Sequence, residues 1–318
     1  MAISLREAIN VATSRLTNAE CGAPKIDAEV LLAYFLKVDK SFLFAHYSDD
    51  LDEKRTDAYF ELIDKRASGV PVAYITGRKE FMGISFKVTE DVLIPRPDTE
   101  IVVEEIIKLA SEMQKGFSDL DILDLCCGSG AICVSLAYYI HKAKLTGTDI
   151  SPLAIAVAKE NTKDYKLTGK VKLVQGDLFA PFKSKGFGKA QFDIIVSNPP
   201  YIKTSVLQTL QREILEHEPV LALDGGESGL DFYEKIIKSS PDFLKKNGLL
   251  ALEIGADQAE EVTALINANE AFSEYRIIKD LAGLDRVIMR RNKRILLMQL
   301  IITIPLEKFD FPEVFDIS

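Results

Sequence analysis

The chain has 318 residues, 47% hydrophobic and 27% charged, enough to bury a full core and to divide into two domains. Its formal net charge of −9 argues against an unspecific electrostatic grip on nucleic acid, which depends on Lys and Arg. Four cysteines without a C-x-x-C pair, and His46, His141 and His217 scattered without metal spacing, indicate neither a zinc site nor a secreted disulfide framework, so a reducing, cytoplasmic setting is expected.

From the N-terminus, Leu5, Ala8, Ile9, Ala12 and Leu16 recur at helical spacing. Ala28, Leu31, Leu32 and Phe35 do the same, followed by Tyr59, Phe60, Leu62 and Ile63. A small helical domain is expected over residues 1–68. Residues 69–98 change to Gly and Pro punctuation with short β-branched runs, the pattern of a hairpin linker. From residue 99 to 292 helix and strand alternate, which implies a mostly parallel sheet covered on both faces. A helix is predicted over 100–113.

Residues 121–125 read as a buried strand entering a tight loop, Cys126-Cys127-Gly128-Ser129-Gly130, with an apolar helix predicted over 131–140. Small residues let a backbone approach a ligand, and a helix N-terminus offers free N–H groups. The spacing is neither the dinucleotide fingerprint nor a Walker loop, since no Lys-Ser or Lys-Thr follows Gly130. A strand over 143–150 carries Asp149 near its end, and Ser151-Pro152 caps the next helix. An acid there can accept hydrogen bonds from both hydroxyls of a ribose; taken singly, it is also an ordinary polar strand end. After a strand over 171–175, Asp177 with Leu178 falls where an adenine would lie, although Gly-Asp is also a common turn.

The apolar run 192–197 leads into Asn198-Pro199-Pro200-Tyr201. Alone, this is an ordinary strand-ending turn. After a Gly-bearing loop and an acid-tipped strand, it points to methyl transfer onto a planar nitrogen. Such a nitrogen is a poor nucleophile because its lone pair is delocalised. The Asn198 side-chain oxygen and the Pro199 carbonyl can each accept one N–H of an NH2 group and aim the lone pair at a methyl donor. Consecutive prolines stiffen the turn, and Tyr201 offers a flat face for stacking and for a sulfonium. A helix over 229–245, a strand over 249–254, a helix over 257–267 and two strands around Ile277 and Val287 complete the pattern. The apolar tail run 295–306 is broken by Gln299 and Pro305 and falls short of the ~20 residues a membrane span needs; a final strand or packing extension is expected there.

These residues carry a resemblance. Gly69-Val70-Pro71-Val72-Ala73-Tyr74-Ile75-Thr76-Gly77, Phe81-Met82-Gly83, Leu93-Ile94-Pro95-Arg96-Pro97-Asp98-Thr99-Glu100, Asp224-Gly225-Gly226, Leu252-Glu253-Ile254-Gly255 and Asp280-Leu281-Ala282-Gly283 with Arg286 join Asn198-Pro199-Pro200-Tyr201. Over roughly residues 5–290, the chain resembles the release factor glutamine methyltransferases of the HemK type. The resemblance implies a Rossmann-like class I α/β fold dependent on S-adenosylmethionine, with a small N-terminal helical domain. It implies methylation of the Gln side-chain amide in the Gly-Gly-Gln loop of a class-1 peptide chain release factor, which the helical domain would recognise. Residues 126–130 would surround the methionine part of the cofactor, Asp149 its ribose, and Asn198 both the substrate Gln and the sulfonium end. Residues 95–100 would close one side of the pocket, unless Arg96 and Glu100 form a structural ion pair. Two features depart from the family pattern: Cys126 stands where Gly is usual, and the tail 293–318 has no counterpart. Two rivals stay open, an amino-methyltransferase of adenine or cytosine and a cofactor-binding protein without catalysis.

Overall fold

The structure, a computed structural model, describes residues 2–113, 119–183 and 190–293. The tail strand expected after residue 293 lies outside the described residues. In chain order the elements are β1 (Ile3–Ser4), α1 (Leu5–Asn18), α2 (Pro24–Leu36), α3 (Lys40–Ala45), β2 (Asp50–Leu51), α4 (Glu53–Ala67), α5 (Val72–Thr76), β3 (Arg78–Phe81), β4 (Ile84–Lys87) and α6 (Pro97–Met113). There follow β5 (Leu120–Leu125), α7 (Ala131–Tyr139), β6 (Ala143–Asp149), α8 (Pro152–Asp164), β7 (Val171–Gln175), β8 (Phe192–Ser197), α9 (Arg212–His217), α10 (Asp231–Phe243), β9 (Leu244–Glu253), α11 (Ala259–Asn267), β10 (Phe272–Lys279) and β11 (Asp285–Asn292).

The N-terminal helices form where caps and apolar stripes coincide. Ser4 and Glu7 close a capping box on α1, and Asp52 caps α4 through the Arg55 N–H. The α1 stripe, Leu5 to Leu16, is buried throughout and packs on Leu31, Leu32, Tyr59 and Ile63. Phe60 and Leu62 are only partly buried, because the stripe of α4 is narrower than its run of apolar letters. Arg66, 5% exposed, joins this unit to the rest: Nε donates to Asp27 (2.7 Å) and Nη1 meets Glu213 on α9 (2.8 Å).

Strands β3 and β4 pair antiparallel as the expected hairpin and dock on α8, where the Asn161 side chain accepts from the Lys87 N–H and donates to the Lys87 carbonyl. The main sheet runs β10-β11-β9-β8-β5-β6-β7. Neighbours from β9 to β7 are parallel, and β11 is antiparallel to both its neighbours. One core cluster packs helices α6, α7 and α8 on the sheet, and another packs α10 and α11. The chain leaves β5 toward β6 on one side and returns to β8 on the other. That reversal opens a crevice beyond the carboxyl ends of β5 and β8, where ligands bind in sheets of this kind.

Three expectations change. Helix α6 begins at Pro97 rather than residue 100, since a proline suits the first helical position. Strand β9 begins at Leu244, five residues early: Leu244 is buried opposite Phe192, and Lys245 reaches Asp121 (2.9 Å) and Asp193 (2.7 Å) before the register resumes at Leu249. Arg96 does not pair with Glu100. It pairs with the buried Glu218, while Glu100 accepts the Met82 N–H (2.6 Å) in the β3–β4 turn.

Candidate active site

A cavity of about 440 Å³ occupies the crevice, within the size range of small-molecule sites. Of the residues singled out in the sequence, Cys126, Gly128, Asp149, Asp177, Leu178, Asn198 and Pro200 line it. Pro199, between the lining residues Asn198 and Pro200, is buried, and Tyr201 is half-buried against the α10 side of the core.

The loop after β5 turns sharply because Cys126, Gly128 and Gly130 all take positive φ, at 58°, 53° and 80°. A non-glycine residue in that region costs about 1–2 kcal/mol, and Cys126 bears this strain. A Cβ added to Gly128 would meet nothing within 4 Å, so a side chain there would stand in open space at the cavity wall. Cys127, Ser129 and Gly130 face elsewhere. Cys127 is buried over Gly147, the Ser129 carbonyl accepts from Asn161, and Gly130 abuts Ala158, so these three hold α8 and β6 against the loop.

Two acids govern the loop. Asp149 Oδ2 accepts the Gly128 N–H and Oδ1 the Ser151 N–H, both at 2.9 Å, which ties the end of β6 to the glycine turn and leaves the remaining lone pairs toward the cavity. Burial raises its pKa and the backbone donors oppose that rise. Asp124, fully buried on β5, accepts the Cys133 N–H (3.1 Å) through Oδ2, while Oδ1 has no partner among the described residues. Burial pushes its pKa up to about 7.

This raised value carries a stability consequence. The folded state holds the Asp124 proton more tightly than the unfolded chain does, so its stabilisation is full below the ordinary carboxylate range and is lost as pH rises through about 7. Melting temperature should therefore fall as pH rises from about 5 to about 8. Asp124→Asn should remove much of that fall in a calorimetric series, and an unchanged slope would refute the assignment.

On the other bank, Asn198 Nδ2 donates to Thr99 Oγ1 (3.1 Å), which leaves Oδ1 as the acceptor of that side chain. Glu253, ending β9 and 1% exposed, has its carboxyl within hydrogen-bonding reach of the Thr99 hydroxyl and the Asn198 amide. Burial raises the Glu253 pKa to about 7 against those bonds and the nearby Arg286. Tyr201 is held by its backbone: its carbonyl accepts from Gln258 Nε2 (3.0 Å), and Gly225 and Gly229 press so close to it that a Cβ at either would collide. Burial, with Glu253 near, raises the Tyr201 phenol pKa to about 12.

Glu90, Asp91 and Leu93 from the linker and Phe232 and Lys235 from α10 complete the walls. Leu93 opens a segment already singled out, whereas Glu90, Asp91, Phe232 and Lys235 escape a motif reading because they belong to segments with no spacing of their own. Thr99 falls within the segment 95–100 that the resemblance puts beside the pocket, but its bond to Asn198 is missed, as is Glu253 as a site residue. The available signal is that Glu253 ends an apolar strand in acid, as Asp149 does. Four carboxylates, Glu90, Asp91, Asp149 and Asp177, against the single Lys235 suit a ligand with cationic groups and ribose hydroxyls rather than a pyrophosphate.

Residues 7–77 match the PrmC N-terminal domain and residues 117–284 a methyltransferase domain. The release factor glutamine methyltransferase of Moorella thermoacetica is 40% identical over 287 residues, spanning 90% of this chain and 98% of its own. That of Clostridium botulinum is 41% identical over 277 residues, spanning 87% and 95%. Among solved structures, the hMettl16 catalytic domain in complex with MAT2A 3'UTR hairpin 6 covers 74% of this chain and 82% of that one at 13% identity, with a TM-score of 0.52, a likeness of fold alone.

Proposed function

The chain belongs to the release factor glutamine methyltransferase family, and from that premise we propose that it methylates the glutamine side-chain amide of a class-1 peptide chain release factor, with S-adenosylmethionine in the crevice. The observation that carries the site assignment is Asn198, which lines the cavity and commits its NH2 to Thr99. When bound, the cofactor supplies an electrophilic methyl group. Its fit is supported by the acidic wall, by the open space over Gly128 and by the spare lone pairs of Asp149.

The residues of the chain do the orienting. Asn198 Oδ1 and the Pro199 carbonyl accept the two N–H groups of the glutamine amide, favour its pyramidal nitrogen and direct the lone pair. Pro200 borders the cavity, and Tyr201 backs the turn. Asp149 takes the ribose hydroxyls, Asp177 and Leu178 border the adenine, and Cys126 and Gly128, held by the packing of the rest of the loop 126–130, face the methionine end. The amide nitrogen gains acidity once alkylated and releases its proton afterwards, so no general base is assigned.

The helical unit over residues 1–68 docks the release factor, residues 69–98 link it to the catalytic unit 99–292, and the setting is cytoplasmic. A flexible substrate loop offers few contacts, so binding energy from a remote surface is needed to hold it. No helix of the described residues is long and apolar enough to cross a membrane. Incubation with methyl-labelled cofactor should label a class-1 release factor and spare its Gln→Ala loop variant, DNA and RNA. Label on nucleic acid, or equal label on the variant, would refute the reading.

A further inference from the structure

A carboxamide presents an acceptor on one side and two donors on the other. If Asn198 is to receive an N–H from the substrate, its oxygen must face the crevice; turned by 180°, it would set donor against donor. Thr99 alone cannot choose between these orientations, because a hydroxyl both donates and accepts.

Glu253 supplies the missing direction. Thr99 is 4% exposed and Glu253 1% exposed, so both are shielded from bulk solvent. Glu253 sits where β9 ends beside β8, one pair beyond the Leu252–Ser197 match, and its carboxyl reaches the Thr99 hydroxyl and the Asn198 amide. Its Oε2 is buried with no partner among the described residues, and Arg286, Thr99 and Asn198 are the polar neighbours that favour its ionised form. An ionised carboxylate only accepts.

We propose that Thr99 and Glu253 are positioning residues for methyl transfer: Glu253 accepts a hydrogen bond from the Thr99 hydroxyl, Thr99 can then only accept from Asn198 Nδ2, and Asn198 Oδ1 is thereby turned to the substrate. The inference rests on the reading that Asn198 holds the glutamine amide. The relay loses its direction when Glu253 is protonated, because the acid can donate to Thr99 and Thr99 can donate in turn to Asn198 Oδ1. The groups facing Glu253 are Arg286 on β11, Asp98 on α6, Tyr201 after β8 and Tyr233 on α10. Arg286 favours the ionised form, and Asp98 opposes it.

The test is release-factor methylation by Glu253→Gln, Thr99→Val and Thr99→Ser, with cofactor affinity measured by calorimetry and kcat followed across pH. Glu253→Gln and Thr99→Val should each lower kcat by about 100-fold, the lower end of the scale for losing one oriented hydrogen-bond partner. Cofactor affinity should stay within about threefold, since neither group borders the ribose or adenine. Thr99→Ser, which keeps the hydroxyl, should retain most of kcat. The parent enzyme should show an acid limb in kcat near pH 7 that Glu253→Gln abolishes. Undiminished kcat in Thr99→Val, or an acid limb that persists in Glu253→Gln, would overturn the relay. If Glu253→Gln fails to fold, the contrast of Thr99→Val with Thr99→Ser decides: equal loss in both overturns the relay, and rescue by Ser supports it. Asn198→Ala separates the two levels of the argument, because full activity there defeats the substrate assignment itself, whereas an inactive Asn198→Ala beside a fully active Thr99→Val defeats only the relay.

Discussion

Replacing Asn198 by Ala is expected to reduce methyl transfer by about a thousandfold or more while leaving the fold intact. The loss is large because this side chain acts on the reacting atom. An amide nitrogen becomes nucleophilic only as it pyramidalises, and an acceptor fixed on its N–H stabilises that change more than it stabilises the planar ground state. The fold should survive because Asn198 lies beyond the end of β8, with its amide bonded to Thr99 rather than to a sheet ladder. Cofactor affinity should change little. Melting curves and calorimetry on the variant, beside single-turnover methylation of a release factor, check each part. Turnover near that of the parent would remove Asn198 from the chemistry.

Asp149→Ala should act on the cofactor instead, raising its Kd by about 10- to 100-fold, with a smaller effect on kcat at saturation. A hydrogen bond to a charged group is worth about 1.5–3 kcal/mol, and each 1.4 kcal/mol is about tenfold in affinity. Two losses combine: the acceptors for a ribose, and the bond that ties Gly128 to the end of β6. Asp149→Asn keeps one acceptor and should fall between the two. Titration calorimetry distinguishes them, and an unchanged Kd in Asp149→Ala would place the ribose elsewhere.

The α/β alternation is legible in the sequence because strands covered on both faces carry short β-branched and leucine-rich runs, such as Ile122-Leu123 in β5 and Ile194-Ile195-Val196 in β8. The acids and small residues at their ends mark the crevice for the same reason: polar letters at strand ends stand out against such runs. The start of β9 is not legible, since Lys245, Lys246 and Asn247 look like loop until Asp121 and Asp193 are seen to hold Lys245. Long-range partners are hidden in the same way. Arg96 has an acid four residues away in sequence, yet its partner is Glu218, 122 residues on. Ser129 and Gly130 read as ligand loop but serve as packing, because a spacing rule records which residues are small and not which way the turn points them. Glu253 and Thr99 lie in recognisable segments, but their relation to Asn198 exists only after α6, β8 and β9 are brought together.

The Arg66 guanidinium, set between Asp27 and Glu213, bears on how the protein can be divided. The change of pattern at residue 69 invites a cut there, with the helices on one side and the sheet on the other. Yet α9 lies in the stretch between the Asn-Pro-Pro-Tyr turn and Glu218, and Glu218 in turn grips Ile94 and Arg96 at the linker. The segment that carries the reacting turn is thus moored at both ends of the supposed seam. Exchanging the helices for those of a relative, to redirect the enzyme to another protein, would replace Asp27 and Arg66 and leave Glu213, the third member of the ion triad, behind. Chimeras of this scaffold call for grafting α9 together with the helices, so that the unit of exchange is discontinuous in sequence and continuous in space.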